Sequence, residues 1–332
     1  MLTSRPMKRW AFPAKSETRI CFAHPAYLLA ERFASRRPDV PCLLIRSNEE
    51  LMDALPHTDV LVISQMWRNE FVEIASRLRF IQGIGAGFDQ FDHLMLRRRG
   101  IRLATSAGVT SHAVAEHAMA LMLALYRHLH TGRDNQKLAV WRGMISDIAS
   151  REDELAGKTL LLVGFGRIGA RIAKLAKAFD MRVVVIRGDP DRGAGEADVV
   201  FGRERLREAL AEADVLVLAC PLTPETRNLI DDAAFAVMKP SAQLINVARG
   251  AIVDEDALIQ ALQSKRLAAA GIDVVHEEPL PRFSPLWGMP NVLITPHKAG
   301  ETRRLEDGVI AILIENLELL WQGEPTLRNQ VV

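Results

Sequence analysis

The stretch "TLLLVGFGRIGARIAKLAKAF", Thr159 to Phe179, constrains the fold of this chain more than any other. An apolar run is followed by Gly164, Gly166 and Gly169 in the spacing GxGxxG, and a helical pattern begins there. Gly164 permits a tight turn, Gly166 lets the backbone approach a phosphate, and Gly169 lets the helix pack closely on the strand. The free N–H groups at the helix start then face an anion. In this strand–turn–helix context the motif predicts a dinucleotide-binding unit.

Short apolar runs alternate with helical patterns along most of the chain, which predicts an α/β protein with parallel sheets covered on both faces. One set of runs ends near Ala107, and a long helical pattern follows from about His112 to His130. A second set extends from Lys158 to Thr295 and predicts strands at "KTLLLVGFG", "RVVVIR", "DVLVLAC", "AQLINVA", "AAGIDVV" and "NVLITP". The helical pattern "RRLEDGVIAILIENLELLWQG" follows without a further strand. If this last helix packs back on the first set, the first domain is discontinuous.

The composition narrows the class of partner. A net charge of +1 with 48% hydrophobic and 25% charged residues is typical of a globular protein and argues against nucleic acid or an anionic membrane as partner. The apolar stretch Ala118 to Tyr126 is too short to span a bilayer. Three cysteines without a CxxC pair predict neither a disulfide framework nor a metal site. With no secretory signal recognisable, a cytoplasmic location is expected.

The residue that follows the apolar run Val183 to Ile186 bears on the choice of cofactor. In units that bind NAD, an acid at this place hydrogen-bonds a ribose hydroxyl, whereas here the residue is Arg187. An arginine fork fits a ribose 2′-phosphate, so Arg187 favours NADP over NAD, with Arg192 as a second candidate contact. Two alternatives stay open: Asp189 or Asp191 turns toward the ribose, or Arg187 only covers the adenine ring or faces solvent.

Three polar residues of the C-terminal half each follow an apolar run. Arg249 lies in "LINVARGAIV", Glu278 in "GIDVVHEEPL" and His297 in "NVLITPHKAG". The carboxyl ends of parallel strands line the ligand crevice, so these side chains are expected to meet there. Taken singly, each has a structural alternative: an ion-pair partner, a solvated loop acid and a core histidine, respectively.

The segments around these residues resemble the D-isomer-specific 2-hydroxyacid dehydrogenase family. The resemblance runs almost without gaps from about Leu155 to Gly300, and the first 60 or so residues match only loosely. "LRFIQGIGAGFDQFD" and "GIRLATSAGVTSHAVAEHAMALMLAL" extend it into the N-terminal half. The matching motifs of the C-terminal half are "GFGRIG", "ADVLVLACPLTPETRNLI", "MKPSAQLINVARGAIVDEDAL", "GIDVVHEEPLP" and "LWGMPNVLITPHKAG".

The resemblance implies catalytic roles for the three polar residues. His297 would give a proton to the carbonyl oxygen of a 2-keto acid as hydride arrives from a nicotinamide. Glu278 would pair with His297, favour its protonated form and orient its ring. Arg249 would hold the substrate carboxylate and polarise the carbonyl group.

The resemblance also implies binding residues. The N–H groups of Ala86 and Gly87, in the loop "GIGAGFD", would bind the substrate carboxylate, and Asp273 would accept from the nicotinamide carboxamide. The further cofactor contacts implied, with the three glycines and Arg187, are Arg167, Ile168, Cys220, Pro221, Thr226, Val247, Ala248, His297 and Gly300.

The architecture implied by the resemblance consists of two αβα domains, Rossmann-like and flavodoxin-like, with the active site in the cleft between them. A cofactor domain of residues 111–298 would be inserted into a substrate domain of residues 1–110 and 299–332. The family is typically dimeric, so a homodimer is expected. The stretch Asp134 to Gly157 lies where the family has an arm that wraps the partner. Trp141 would either anchor that interface or reach the partner's active site.

The function implied is that of an NAD(P)-dependent oxidoreductase acting on CH–OH groups. It would run mainly as a 2-ketoacid reductase, with glyoxylate or hydroxypyruvate as the expected substrate and a bulkier 2-keto acid as the alternative. Two other classes stay open: a dinucleotide-regulated corepressor-like binding protein and a non-catalytic dinucleotide sensor. Steady turnover of any 2-keto acid would exclude the sensor.

Overall fold

The computed structural model describes residues 12–332, which form two compact units. The first unit consists of the described residues up to Thr110 together with Thr302–Val332, and the second consists of Ser111–Glu301. In each unit a parallel sheet borders two separate apolar cores. This is the α/β class that the alternation of strands and helices predicts, so the predicted fold class is confirmed.

Among the described residues of the first unit, five strands form one sheet: β1 (Ile20–Ala23), β2 (Cys42–Ile45), β3 (Val60–Ile63), β4 (Phe80–Gly83) and β5 (Arg102–Ala104). All neighbours are parallel, in the order β2-β1-β3-β4-β5, which is the flavodoxin-like order. The helices are α1 (Leu29–Arg36), α2 (Asn48–Ala54), α3 (Phe71–Ile74), α4 (His93–Arg99) and α11 (Leu305–Trp321).

Helix α11 belongs to the first unit although it lies near the opposite end of the chain. Leu313 and Leu317 are fully buried in one apolar core with Phe22 of β1. Burying a leucine side chain stabilises a fold by about 1.5–3 kcal/mol. Asn316, also fully buried, donates from Nδ2 to Oε1 of Gln82 at 3.0 Å, so this buried amide is satisfied. The core of the first unit is therefore built from both ends of the chain.

Seven strands form the sheet of the second unit: β6 (Thr159–Val163), β7 (Arg182–Ile186), β8 (Val199–Phe201), β9 (Val215–Leu218), β10 (Gln243–Asn246), β11 (Ala269–Ile272) and β12 (Val292–Ile294). All are parallel, in the order β8-β7-β6-β9-β10-β11-β12, which extends the Rossmann order by one strand. The helices are α5 (Ser111–Tyr126), α6 (Leu129–Lys137), α7 (Arg167–Lys177), α8 (Leu206–Glu212), α9 (Asp232–Val237) and α10 (Glu255–Gln263).

The central strands of this sheet explain the near-continuous apolar runs of the sequence. Leu160 to Leu162 of β6 and all four residues of β9 are fully buried, because helices cover both faces of the sheet. Polar residues are thereby confined to the strand ends. The functional side chains of this unit consequently lie in the loops that follow the strands.

Two details differ from the sequence-based expectations. Strand β8 is not among the predicted strands, since it has three half-buried residues at the sheet edge and gives only a weak pattern. The helix expected from about His112 to His130 ends at Tyr126, and α6 begins at Leu129. Between them His128 adopts a left-handed backbone with φ of 50°, which interrupts the helical hydrogen bonds.

Candidate active site

The glycine-rich turn between β6 and α7 has one open position. Gly164 has a left-handed backbone, with φ of 99°, and a Cβ there would lie 2.6 Å from the Cα of Cys220. A Cβ at Gly169 would lie 2.2 Å from the carbonyl oxygen of Gly164. A Cβ at Gly166, in contrast, would meet nothing within 4 Å. Packing therefore requires two of the glycines, whereas the space beside Gly166 is open to a ligand.

Helix α7 presents main-chain donors to this space. Gly166 is the N-cap residue and makes no side-chain capping bond, and Arg167 and Ile168 are the first residues of the helix. The first N–H groups of a helix lack intrahelical acceptors, and the positive end of the helix dipole lies there. Donors with a positive potential beside open space suit an anion, so the turn fits the diphosphate of a dinucleotide.

Arg187 follows β7 directly and lies against the glycine-rich turn. Its guanidinium carbon is 5.5 Å from the centre of the Phe165 ring, and its Nη1 donates to the carbonyl oxygen of Gly193 at 3.1 Å. The carboxylate of Asp189 accepts the N–H of Asp191 at 3.2 Å within the same loop. The side chain that packs on the turn is thus a cation.

The loop after β9 carries Cys220, Pro221 and Thr226, and the backbone of Cys220 packs against Gly164. The hydroxyl of Thr226 donates to the carbonyl oxygen of Pro221 at 2.8 Å and accepts the N–H of Thr223 at 2.8 Å. Burial raises the pKa of the Cys220 thiol to about 11. Cys220 is therefore a packing residue under the turn, in the protonated form.

The loop after β10 carries Val247, Ala248 and Arg249 and is fixed by Asn246. The side chain of Asn246 accepts the N–H of Ala248 at 3.1 Å and donates to the carbonyl oxygen of Arg249 at 3.0 Å. Nη1 of Arg249 donates to the carbonyl oxygen of Ala248 at 2.8 Å. These contacts hold the arginine at the carboxyl end of its strand.

His297 and Glu278 come from the loops after β12 and β11 and form a hydrogen-bonded pair. Nδ1 of His297 lies 2.7 Å from Oε2 of Glu278. Partial burial opposes ionisation of Glu278, but the hydrogen bond and charge of His297, the N–H of Val275 and the charge of Arg249 outweigh it and lower its pKa. Glu278 is therefore ionised at neutral pH, and its carboxylate interacts with His297 and with the charge of Arg249.

The ionised carboxylate fixes the tautomer of the histidine. A carboxylate can only accept hydrogen bonds, so the proton between the two side chains is on Nδ1 of His297. Nε2 is then the ring atom that can give or take a proton. The pair is thereby arranged for proton transfer to a bound substrate.

Asp273 lies at the end of β11 and is only 2% exposed. Its Oδ1 accepts the hydroxyl of Thr295 at 2.6 Å and the N–H of Lys298 at 3.0 Å, and its Oδ2 accepts the N–H of Ala299 at 2.9 Å. A carboxylate has about four acceptor positions, so one is left on Oδ2. The predicted contact with a nicotinamide carboxamide is confined to that position. Gly300 follows directly in the same loop.

In the first unit, Ala86 and Gly87 lie in the loop after β4. Neither N–H donates a hydrogen bond within residues 12–332, and the preceding Gly85 is tied by the N–H of Ser106 to its carbonyl oxygen at 3.0 Å. Two neighbouring N–H groups held by a fixed loop suit an anion such as a carboxylate.

Sequence reasoning did not single out His117 or Thr295, which the structure connects to the loop of His297. Nε2 of His117 lies 2.8 Å from Oγ1 of Thr295. The only signal in the sequence is that Thr295 directly follows an apolar run, as the other site residues do. Across the described ranges, no group of three or more His, Cys, Asp or Glu side chains is placed to hold a metal ion. In the same ranges, no helix has the length and apolar character to cross a membrane.

A dinucleotide-binding sheet whose last strands carry an imidazole–carboxylate pair and an arginine defines a class: oxidoreductases that move a hydride and a proton at a carbonyl group. The family model "D-isomer specific 2-hydroxyacid dehydrogenase, NAD binding domain" matches residues 119–299. The chain belongs to the D-isomer specific 2-hydroxyacid dehydrogenase family, as the motifs predict. It is a nicotinamide-dependent oxidoreductase that acts on CH–OH groups.

Curated relatives cover most of the chain. A glyoxylate reductase of Pyrococcus furiosus is 36% identical over 293 residues, which is 86% of this chain and 86% of that protein. Glyoxylate/hydroxypyruvate reductase B of Pectobacterium carotovorum is 37% identical over 258 residues, 77% of this chain and 79% of that protein. These relatives are enzymes, which does not favour the corepressor and sensor alternatives.

Solved structures agree with the fold. A protein of Thermus thermophilus has a TM-score of 0.83 at 33% identity, over 95% of this chain and 100% of that one. An acyclic imino acid reductase in complex with NADPH and D-Arg has a TM-score of 0.82 at 26% identity, with the same coverage. A formate dehydrogenase of Staphylococcus aureus in complex with NAD has a TM-score of 0.83 at 26% identity, over 95% and 99%. The cofactor is a nicotinamide dinucleotide.

Proposed function

We propose that this enzyme is a glyoxylate or hydroxypyruvate reductase that prefers NADPH. The proposal rests on the pair of His297 and Glu278. Their Nδ1 and Oε2 atoms are 2.7 Å apart, and the carboxylate interacts with the charge of Arg249. The relatives described above act on glyoxylate or hydroxypyruvate by their names, which supports the choice of substrate.

The protein's own residues supply the proton and the orientation of the substrate. Arg249 binds the 2-keto acid through its carboxylate and carbonyl oxygens and polarises the carbonyl group. His297 gives the proton on Nε2 to the carbonyl oxygen, and Glu278 stabilises the ring through Nδ1. In the first unit, the N–H groups of Ala86 and Gly87 are proposed to bind a carboxylate. Arg249 and His297 neutralise the charge that develops on the carbonyl oxygen.

The cofactor is held by the residues at the carboxyl ends of the second sheet. The turn of Gly164 to Gly169 binds the diphosphate, and Asp273 accepts from the carboxamide at its remaining position. When bound, the nicotinamide supplies the hydride that reaches the carbonyl carbon. The remaining contacts proposed are Cys220, Pro221, Thr226, Val247, Ala248 and Gly300.

Initial rates decide this proposal. Purified enzyme is assayed with glyoxylate and with hydroxypyruvate, each with NADPH and with NADH, and phenylpyruvate serves as a bulkier control. We expect a kcat/KM for glyoxylate or hydroxypyruvate at least about tenfold above that for phenylpyruvate, because a pocket that fits a side chain of at most one carbon excludes an aromatic ring. Turnover only of larger 2-keto acids would overturn the choice of substrate.

The preference for NADPH is proposed from Arg187. A guanidinium stacked on Phe165 and beside the glycine-rich turn is placed to pair with a ribose 2′-phosphate. Arg187→Gln is expected to reduce kcat/KM for NADPH by about 10- to 100-fold, with little change for NADH. Arg182→Gln is the matched control, since Arg182 is an exposed cation at the other end of the same strand. If the ratio of kcat/KM for NADPH to kcat/KM for NADH is unchanged in Arg187→Gln, the proposed contact is refuted.

We propose that the second unit is the cofactor domain, that the first is the substrate domain, and that the enzyme is a homodimer. The support for a dimer is the stretch after α6, in which Trp141 is 99% and Met144 is 100% exposed. Several large apolar side chains exposed within one short stretch of a chain mark an interaction surface. The other exposed apolar residues there are Leu138, Val140 and Ile148.

Light scattering tests the dimer. The mass in solution is expected to be twice the 36.9 kDa of the chain. Trp141→Ser should shift the dissociation to higher protein concentration, whereas Phe283→Ser, which changes an aromatic residue that is 90% exposed elsewhere, should not. A monomer at all concentrations, or equal effects of the two substitutions, would contradict the proposed arm.

A further inference from the structure

Asp273 gathers three consecutive main-chain N–H groups of the loop that carries His297. Its carbonyl oxygen accepts the N–H of His297 at 2.7 Å. Its carboxylate accepts the N–H groups of Lys298 at 3.0 Å and of Ala299 at 2.9 Å. Since Asp273 is buried, these charge-assisted bonds are shielded from water and are strong. Asp273 thus contacts the backbone at all three residues 297–299, and the N–H of His297 is shared with the carbonyl oxygen of Thr295 at 3.0 Å.

A chain of side-chain hydrogen bonds connects Asp273 to helix α5. The hydroxyl of Thr295 lies 2.6 Å from Oδ1 of Asp273, and because a carboxylate only accepts, Thr295 is the donor in this bond. Thr295 has only one hydroxyl proton, and the bond to Asp273 uses it. Nε2 of His117 lies 2.8 Å from Oγ1 of Thr295 and must therefore be the donor in that bond. His117 therefore donates to Thr295, and Thr295 donates to Asp273. Nε2 of His117 carries a hydrogen.

A glycine in β11 lets α5 approach closely enough for this chain of hydrogen bonds. A Cβ at Gly271 would lie 3.0 Å from Cβ of Leu121 and 3.1 Å from Cδ1 of Ile245. Leu121 is one helical turn after His117, on the same face of α5, and Gly271 is two residues before Asp273. The close approach of the helix to the strand therefore sets the position of His117 relative to Asp273.

The loop needs this support because His297 has an unfavourable backbone. Its φ is 49°, in the left-handed region, which residues other than glycine rarely adopt. Such a conformation persists only where surrounding contacts determine it. The contacts that do so here are those of Asp273, and Thr295 holds the orientation of the Asp273 carboxylate.

We propose that His117 and Thr295 are positioning residues for His297. Neither is required to touch substrate or cofactor. Their hydrogen bonds orient Asp273, and Asp273 holds the backbone of residues 297–299 so that the His297 ring meets Glu278. A displacement of about 1 Å at a reacting group can cost 100-fold in rate. The catalytic consequence rests on the proposed function, whereas the geometric claim about the His297 ring does not.

Paired substitutions test the proposal. Thr295→Val keeps the shape and removes the hydroxyl, and His117→Phe keeps a flat ring and removes the donor; kcat per cofactor-binding site is expected to fall about 10- to 100-fold in both. The matched variants Thr295→Ser and His117→Gln retain a hydroxyl or a donor and should recover most of the loss. The Kd for NADPH, from quenching of protein fluorescence, is expected to rise by at most about threefold, well below the loss in kcat, because Asp273 supplies only the proposed carboxamide contact and the glycine-rich turn and Arg187 are unchanged.

A second readout is independent of turnover. In protein labelled with ¹⁵N in the histidine rings, the His297 signals, assigned through His297→Ala, should move in Thr295→Val and return in Thr295→Ser. An unmoved His297 signal, equal kcat in the valine and serine variants, or a Kd that rises in step with the loss of kcat would each overturn the positioning role. If wild-type enzyme turns over no 2-keto acid, the proposed function fails, and the ring signals still decide whether Thr295 positions His297.

Discussion

The Nδ1 atom of His297 lies 2.7 Å from Oε2 of Glu278, and the carboxylate rather than the imidazole sets the proton position of this pair. Glu278→Gln keeps the size of the side chain but removes its charge. Because the neutral amide no longer stabilises a protonated ring, kcat for reduction is expected to fall about 10- to 100-fold. Steady-state kinetics at pH 7 measure this. Glu277→Gln, which changes the adjacent acid, is the control, and equal losses in both variants would contradict a specific role for Glu278.

The same pair makes a pH-dependent contribution to stability. The folded-state pKa of Glu278 is lowered, so the unfolded chain takes up its proton first as the pH falls. The stabilisation is fully present above the ordinary glutamate pKa of about 4.3 and is lost as the pH falls below it toward the folded-state value. The Tm difference between wild type and Glu278→Gln, measured from pH 7 to pH 3, should shrink in that window. A difference that grows toward low pH would refute this sign.

His297 is expected to affect chemistry and not cofactor binding. His297→Ala removes the proton donor, and general acid catalysis typically contributes about 100- to 10,000-fold to a rate. We therefore expect a loss of that size in kcat, with a Kd for NADPH near the wild-type value. Fluorescence titration and initial rates on the same preparation separate the two quantities. Near-normal turnover would remove His297 from the proton-transfer step.

The sequence predicts those parts of the molecule that depend on local pattern. The glycines of the turn could be assigned because Gly164 and Gly169 serve packing that any strand–turn–helix of this type needs. The three-residue strand β8 could not, since an edge strand with half-buried residues lacks a distinctive period. His117 escaped notice for a different reason. Its role depends on the approach of α5 to β11, which joins residues far apart in the chain and leaves no local signature.

The thiols are expected to react slowly in the folded enzyme. Burial raises the pKa of Cys21 to about 12 and that of Cys220 to about 11, and it also raises the pKa of the half-buried Cys42. At pH 8 the thiolate fraction of a group with pKa near 11 is roughly two orders of magnitude below that of a free cysteine. Ellman's reagent should modify Cys42 first, so Cys42→Ser removes the earliest phase, and guanidinium should expose all three thiols. Fast reaction of Cys220 in native protein would contradict this account.

The open position beside Gly166 gives the sharpest test of the cofactor site. A Cβ there meets no protein atom within 4 Å, and Gly166 has an ordinary extended backbone with φ of −85°. Gly166→Ala should therefore fold with an unchanged Tm, while the added methyl group occupies the space of the diphosphate and raises the Kd for NADPH by about tenfold or more. Gly164→Ala is the contrasting variant, because its Cβ would collide with the backbone at Cys220 and lower the Tm even without ligand. Scanning fluorimetry and fluorescence titration measure the two effects. A wild-type Kd in Gly166→Ala would mean that the dinucleotide does not bind over this turn.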